Sequence, residues 1–309
     1  MQSTKRLFIF AGYDEQGVID NTLLHYLHCL SELGDVILTM DSDVSSLEIG
    51  KLKSVKNILS VQTGRHNEYD FGSYKRGFQY AKNKDILKKY DWVYFVNDSV
   101  YGPLWDIKSI LCDLESRGVD LTGMIDFVNA ETPVQVQSWF VGVTKRVASE
   151  DFFSDFMNSV THQTHKQLIV LKYEVGLSQT ILRHGYKMST FVSNQDGRIC
   201  HVMYDKPLEV LRAGIPFVKK AGLVNLKGIQ FLYPFTTDKI VDDIAKYVVR
   251  NNLPFIDIRK KPQYKKCFRF SLFGLPLLTI YRQNAAPQAR NYKVYILDKL
   301  PIFKIALSS

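Results

Sequence analysis

The chain has 309 residues, 46% of them hydrophobic, and a formal net charge of +9. That is enough apolar material for a full core, either one large α/β domain with an appendage or two domains; one catalytic domain with a tail is expected. No run of about eighteen apolar residues appears and the first residues lack a leader-like pattern, so neither a membrane-spanning nor a secreted chain is expected. The charge is unevenly placed: residues 259–309 hold eleven Lys or Arg against one acid, Asp298, and the rest of the chain is close to neutral. Four cysteines (Cys29, Cys112, Cys200, Cys267) lie far apart without Cys-x-x-Cys spacing. Buried thiols in a reducing cytosol are expected rather than disulfides or zinc ligands.

In chain order, residues 7–10 read as a first strand and residues 14–19 as a polar loop. Residues 21–33 carry leucines at helical spacing and end at Gly34, which predicts an amphipathic helix. A second strand is expected at 36–40, a third at 55–61, helices at 73–83 and 84–90, a buried strand at 92–96, a helix at 104–117 and a strand at 121–125 ending in Asp126. This alternation predicts an α/β fold with a mostly parallel sheet, whose ligands collect beyond the carboxyl ends of the strands. An alternating strand is expected at 137–143, helices at 149–159 and 174–184, a strand at 188–192, a turn into an apolar segment at 214–219, and a last helix at 237–251 capped by Thr236 or Thr237.

A boundary is expected near 255, with a domain at 1–255 and a basic tail at 256–309. In the tail, Leu272-Phe-Gly-Leu-Pro-Leu-Leu-Thr-Ile280 aligns with Leu297-Asp-Lys-Leu-Pro-Ile-Phe-Lys-Ile305. Apolar residues around a proline, flanked by Lys or Arg, suit either an amphipathic element at an anionic membrane surface or a small β-hairpin. Zinc-finger, RNP and helix-turn-helix patterns are missing, so nucleic acid is not expected as a partner.

Two stretches carry most of the chemistry: Arg65-His-Asn-Glu-Tyr-Asp-Phe-Gly-Ser-Tyr-Lys-Arg-Gly77, and Asp91-Trp-Val-Tyr-Phe-Val-Asn-Asp-Ser99 followed by Tyr101-Gly-Pro103. Asp98 follows a buried strand, where a carboxylate needs a cation or strong donors. It either holds Mg²⁺ or Mn²⁺ with Asn97 or Ser99, or caps the next helix. Arg65 and Lys75 offer positive charge for phosphate or a carboxylate, and Asp70 can accept from a base or ribose or cap a helix. Glu174, expected at the start of a helix, is either stabilised by the helix dipole or held there as a general base, with Asp126 as its competitor. His201 either completes a metal or diphosphate site or is satisfied by hydrogen bonds. Asp14 and Gly17 belong either to a base or ribose site or to an acidic surface loop.

These segments, taken in order, resemble the rhamnan synthesis protein F family of bacterial polysaccharide glycosyltransferases. The matching pieces are Tyr13-Asp-Glu-Gln-Gly17, Arg65-x-Asn-x-Tyr-Asp-Phe-Gly-Ser-Tyr-Lys75, Asn97-Asp-Ser-Val-Tyr-Gly-Pro103, Gln137-Ser-Trp-Phe140, Tyr173-Glu-Val-Gly-Leu-Ser178 and Pro216-Phe-Val-Lys219. The resemblance covers about residues 7–225 and, more distantly, the arrangement is similar to the GT-A fold. It implies transfer of rhamnose or another hexose from a UDP- or dTDP-sugar to a hydroxyl of a growing capsule, O-antigen or rhamnan, with inversion. Asp98 and His201 are then the metal residues, and Asp14, Gly17, Arg65, Asn67, Asp70, Lys75, Asn97 and Ser99 line the donor site. Gln137 and Ser138 face the acceptor, and Glu174 is the favoured base ahead of Asp126. The partners implied are the nucleotide sugar, a lipid-linked or polysaccharide acceptor and the inner face of the cell membrane. Asn97-Asp98-Ser99 departs from the Asp-x-Asp motif of GT-A enzymes by one carboxylate. A catalytically idle nucleotide- or sugar-binding scaffold is the alternative.

Overall fold

A computed structural model describes residues 4–128, 132–193, 202–226, 228–253, 264–272, 275–283, 289–296 and 300–308. The chain opens as β1 (Arg6–Gly12), α1 (Asn21–Ser31), β2 (Asp35–Met40), α2 (Ser46–Lys51), β3 (Ile58–Thr63), α3 (Tyr69–Asn83) and β4 (Trp92–Asn97). It continues through β5 (Val100–Tyr101), α4 (Lys108–Ser116), β6 (Leu121–Phe127), β7 (Gln135–Val136), β8 (Phe140–Thr144), α5 (Lys145–Ala148) and α6 (Asp151–Asn158). A long helical run follows, made of α7 (Lys166–Ile169), a π-helical segment (Val170–Val175) and α8 (Gly176–Arg183). Then come β9 (Met188–Val192), α9 (Val202–Asp205), α10 (Pro207–Arg212), β10 (Val218–Lys219) and α11 (Asp238–Arg250).

The central sheet has the order β3-β2-β1-β4-β8-β6-β7, with β9 beside β6. Pairings β1–β2, β2–β3, β1–β4 and β6–β9 are parallel, whereas β8 runs antiparallel between β4 and β6 and β7 antiparallel to β6. The fold is therefore α/β with a mostly parallel sheet, as expected. Its central strands are apolar along their length because both faces are covered. Successive residues of β1 divide between the two layers: Phe8 and Phe10 pack with α1 and α4, and Leu7 and Ile9 pack with α3, α6 and α8. Gly77 lets α3 approach β1, since a Cβ there would lie 2.4 Å from the Ile9 side chain. A third apolar cluster joins Tyr101, Val218, Leu211 and the inner face of α11. It ties the later half of the chain to the end of β4 through the short antiparallel pair β5–β10.

Several elements differ from expectation. The strand expected at 137–143 begins at Phe140, since residues 137–139 form a turn after β7. The helix expected at 84–90 is a single 3₁₀ turn, Leu87–Lys89. Glu174 does not open a helix: the helical run begins at Lys166, so the dipole of a helix N-terminus does not act on it. The expectation of buried thiols fails at Cys112, which is exposed, while Cys29 is half-buried. Both are free.

The tail forms a four-stranded antiparallel meander of β11 (Tyr264–Leu272), β12 (Leu275–Gln283), β13 (Ala289–Ile296) and β14 (Leu300–Ser308). The two copies of the repeat become two equivalent hairpins. Pro276 pairs with Ser271 and Pro301 with Tyr295, each beside a register shift in the facing strand. The repeat is therefore built as β-hairpins, each with its proline in the second strand.

Candidate functional site

From β1 the chain steps to β2 and β3 on one side of the sheet, then returns to β4 on the other. The order thus reverses between β1 and β4, and the crevice beyond their carboxyl ends is the place where such sheets bind ligands. Asp98 lies there, its amide donating to the Ala11 carbonyl at 3.1 Å and its Oδ2 accepting from the Tyr13 amide at 3.2 Å.

Beside Asp98 stands Lys220, whose Nζ is 3.6 Å from Oδ2. The same ammonium lies 4.4 Å from the ring centre of Tyr247 and 5.7 Å from that of Tyr101. Burial opposes the charge on Lys220, but Asp98 and Tyr247 outweigh it and its pKa is raised; burial likewise raises the Asp98 carboxyl. The preceding Lys219 donates from Nζ to Ser99 Oγ at 2.7 Å, and its ammonium is 6.0 Å from the Tyr204 ring centre.

A second carboxylate adjoins the first. Asn97 donates from Nδ2 to Asp70 Oδ2 at 2.9 Å, and its Oδ1 accepts from the Ser99 amide at 3.0 Å. Burial raises the Asp70 carboxyl to about 6, with Glu174 adding to the effect and Lys219 opposing it. Glu174 accepts from the Ser138 amide at 3.0 Å, from Ser138 Oγ, and from Gln135 Nε2 at 3.2 Å. Three donors therefore fix its carboxylate, which projects from the π-helical segment. Such segments are frequent at functional sites because they shift a side chain out of helical phase. Burial, with Glu174 and Asp70 adding, raises the Tyr204 hydroxyl.

The structure thus brings together Asp70, Asn97, Asp98, Ser99, Ser138 and Glu174. Arg65 and Asn67 form a neighbouring rim: Arg65 donates to the Asp41 carbonyl at 2.6 Å and to Asn67 Oδ1 at 2.9 Å, and its guanidinium lies 5.0 Å from the ring centre of the exposed Tyr13. Asp41, at the end of β2, holds this rim by accepting from the His66 and Asn67 amides at 2.7 and 3.1 Å.

Other expected residues are engaged elsewhere. Lys75 donates to the Val160 carbonyl at 2.7 Å. Asp14 accepts from the Gln16 and Val18 amides at 3.0 Å each and from Arg250 of α11 at 2.6 Å. Burial alone would raise its pKa, but these donors hold it below the ordinary carboxylate value. Gly17 has φ +67°, and a Cβ there would meet the Asp43 carbonyl oxygen at 2.1 Å, so glycine is required by the loop itself. Gln137 accepts from the Trp139 indole at 3.1 Å. Asp126 is buried and accepts from the Thr190 and Ser193 hydroxyls at 3.2 and 3.0 Å. His201 lies outside the described residues.

Among the described residues no three His, Cys, Asp or Glu side chains group so as to hold a metal ion. Among the described residues Asp98 offers a single carboxylate, which faces the Lys220 ammonium and accepts from the Tyr13 amide. Sequence reasoning missed Lys220, Tyr204, Asp41 and Arg250, and met Lys219 only as the end of Pro216-Phe-Val-Lys219, without a role. A carboxylate at the end of β2 could have been flagged by the strand-end rule alone; that Lys219 meets Ser99, 120 residues away, no local pattern could show.

A virulence protein of Vibrio anguillarum, VirA, is 26% identical over 175 residues, which is 56% of this chain and 48% of that protein. The chain spans about half the length of the curated relatives it matches. Among solved structures, HddC from Yersinia pseudotuberculosis is similar at 14% identity and a TM-score of 0.36, covering 62% of this chain and 90% of that one. Core-mannan synthase A from Aspergillus fumigatus, in a Mn/GDP form, is similar at 8% identity and a TM-score of 0.32, covering 62% of this chain and 73% of that one. At these scores neither structure assigns a ligand or a reaction. The family model for rhamnan synthesis protein F matches residues 36–258, most of the chain and nearly all of the crevice, and the chain belongs to that family.

Proposed function

We propose that the chain is a glycosyltransferase that moves rhamnose or another hexose from a nucleotide diphosphate donor to a hydroxyl of a growing cell-surface polysaccharide, with inversion. The observation that carries this reading is a carboxylate, Glu174, held by Ser138 and Gln135 close to Asp70, together with the Lys219 and Lys220 ammoniums gathered on the Asp98–Ser99 turn after β4. Family membership supports it.

In the step proposed, an acceptor hydroxyl oxygen forms a bond to the anomeric carbon while the bond from that carbon to the diphosphate oxygen breaks. The departing diphosphate takes the electron pair, and Glu174 takes the hydroxyl proton. Ser138 and Gln135 aim the Glu174 carboxylate, which limits the orientations it must lose in the transition state. Tyr13, with Arg65 over its ring, offers a face to the nucleobase. Asp70, close to half-protonated near pH 6, is placed to accept from or donate to the transferred sugar.

A thermal-shift panel of UDP-, dTDP- and GDP-sugars, run with and without Mn²⁺, tests the donor class. The reading expects at least one to raise the melting temperature by several degrees. The second reading, a scaffold that binds a nucleotide sugar without turning it over, shares that shift and is separated from the first by donor consumption.

A further inference from the structure

We propose that Lys219 and Lys220 together supply the positive charge that neutralises the donor diphosphate, in the place where a divalent ion would otherwise be needed. This rests on the nucleotide-sugar reading above and specifies the chemistry of the same site.

Both lysines are delivered to one point. β10 pairs antiparallel with β5, Lys219 opposite Val100 and Val218 opposite Tyr101, directly after the Asp98–Ser99 turn. The Lys220 amide donates to the Ser99 carbonyl at 2.9 Å, locking the dipeptide against that turn. Lys219 closes β10 and Lys220 follows it in the turn, so both ammoniums come to the same two residues. One reaches Ser99 Oγ at 2.7 Å and the other Asp98 Oδ2 at 3.6 Å.

Together they carry the +2 of a divalent ion. Lys220 is held by Asp98 and two aromatic faces, as a resident cation is held by its ligands, and its side chain remains 19% exposed, so an anion can approach it. Lys219 lies on the side of Asp70, whose acidity it affects. Fixed positive charge in a partly desolvated crevice stabilises negative charge developing on a leaving group without reorganisation. The lone carboxylate at Asp98 then orients an ammonium and need not complete a metal shell.

The test uses the full chain and UDP, dTDP and GDP as probes, with affinities measured by calorimetry in EDTA and in Mn²⁺. The inference expects the preferred nucleotide to bind in EDTA within about threefold of its affinity in Mn²⁺. Lys219→Gln is expected to weaken it at least tenfold with an unchanged melting temperature, while Lys220→Arg, which keeps the charge, is expected to bind within about threefold. Binding that is lost in EDTA and restored by Mn²⁺ overturns the inference and leaves the donor reading standing. Binding by Lys219→Gln equal to wild type also overturns it. If no nucleotide binds under either condition, the donor reading falls and the inference falls with it.

Discussion

Asp70 is the residue whose surroundings make the sharpest demand on solution behaviour. Its carboxyl titrates at about 6 in the folded chain against 3.8 ordinarily, because it is buried next to Glu174. The native state therefore holds a proton that the unfolded chain gives up between about pH 4 and 6, and stability falls as pH rises through that window. Each pKa unit corresponds to about 1.4 kcal/mol, so Asp70→Asn, which keeps an acceptor for Asn97, is expected to gain about 1–3 kcal/mol over wild type at pH 8 and little at pH 4. Urea unfolding of both proteins at the two pH values checks this; an equal difference at both would show that Asp70 is not held protonated.

Arg250 makes the opposite case. It joins Asp14 and Asp20, at 2.6 and 3.0 Å, and so clamps the loop after β1 to α11. Asp14 has its pKa lowered, hence the stability it contributes is present above its ordinary value and lost as pH falls below it. Arg250→Ala leaves that nearly buried carboxylate short of a partner and is expected to cost about 1–2 kcal/mol at pH 7, allowing for the partial exposure of the guanidinium. The deficit should shrink near pH 3. A cost that persisted there would point to lost packing on Tyr247 instead of lost charge.

At the scale of elements, β1, β2 and β4 were readable because strands covered on both faces are apolar throughout, and α1 and α11 because one face of each is apolar at helical spacing. The helix bearing Glu174 was placed too late for a related reason. In Lys166–Arg183 the apolar run Leu168-Ile-Val-Leu171 breaks the 3.6-residue period, and the π-helical segment that overlaps it also sets Glu174 against Ser138. The same feature hid the helix start and built the site. β10 was out of reach for a different reason: two residues carry no periodicity, and their partner strand is remote in sequence. Asn97 and Asp98 at the end of β4 were legible from the strand-end rule, whereas Lys75 and Asp14, which lie in the motifs quoted for the family resemblance, are engaged by a backbone carbonyl and by α11.

Across the whole molecule, charge separates from chemistry. The crevice lies in the near-neutral part of the chain, and the excess positive charge lies in the segment that forms the β11–β14 meander. No helix among the described residues is long and apolar enough to cross a membrane. We propose that the basic meander holds the enzyme at the inner, anionic face of the cell membrane, where lipid-linked acceptors would be reached. Deleting residues 259–309 is expected to abolish co-sedimentation with phosphatidylserine-containing vesicles at moderate salt, and unchanged co-sedimentation would contradict the role. In the proposed transfer Glu174 takes the proton of the acceptor hydroxyl. Release of nucleoside diphosphate from the donor selected by thermal shift, compared between wild type and Glu174→Gln, tests it most directly. Wild type is expected to release nucleoside diphosphate, the variant at least a hundredfold less, with an unchanged thermal shift with donor; equal release by the two proteins would rule out Glu174 as the base.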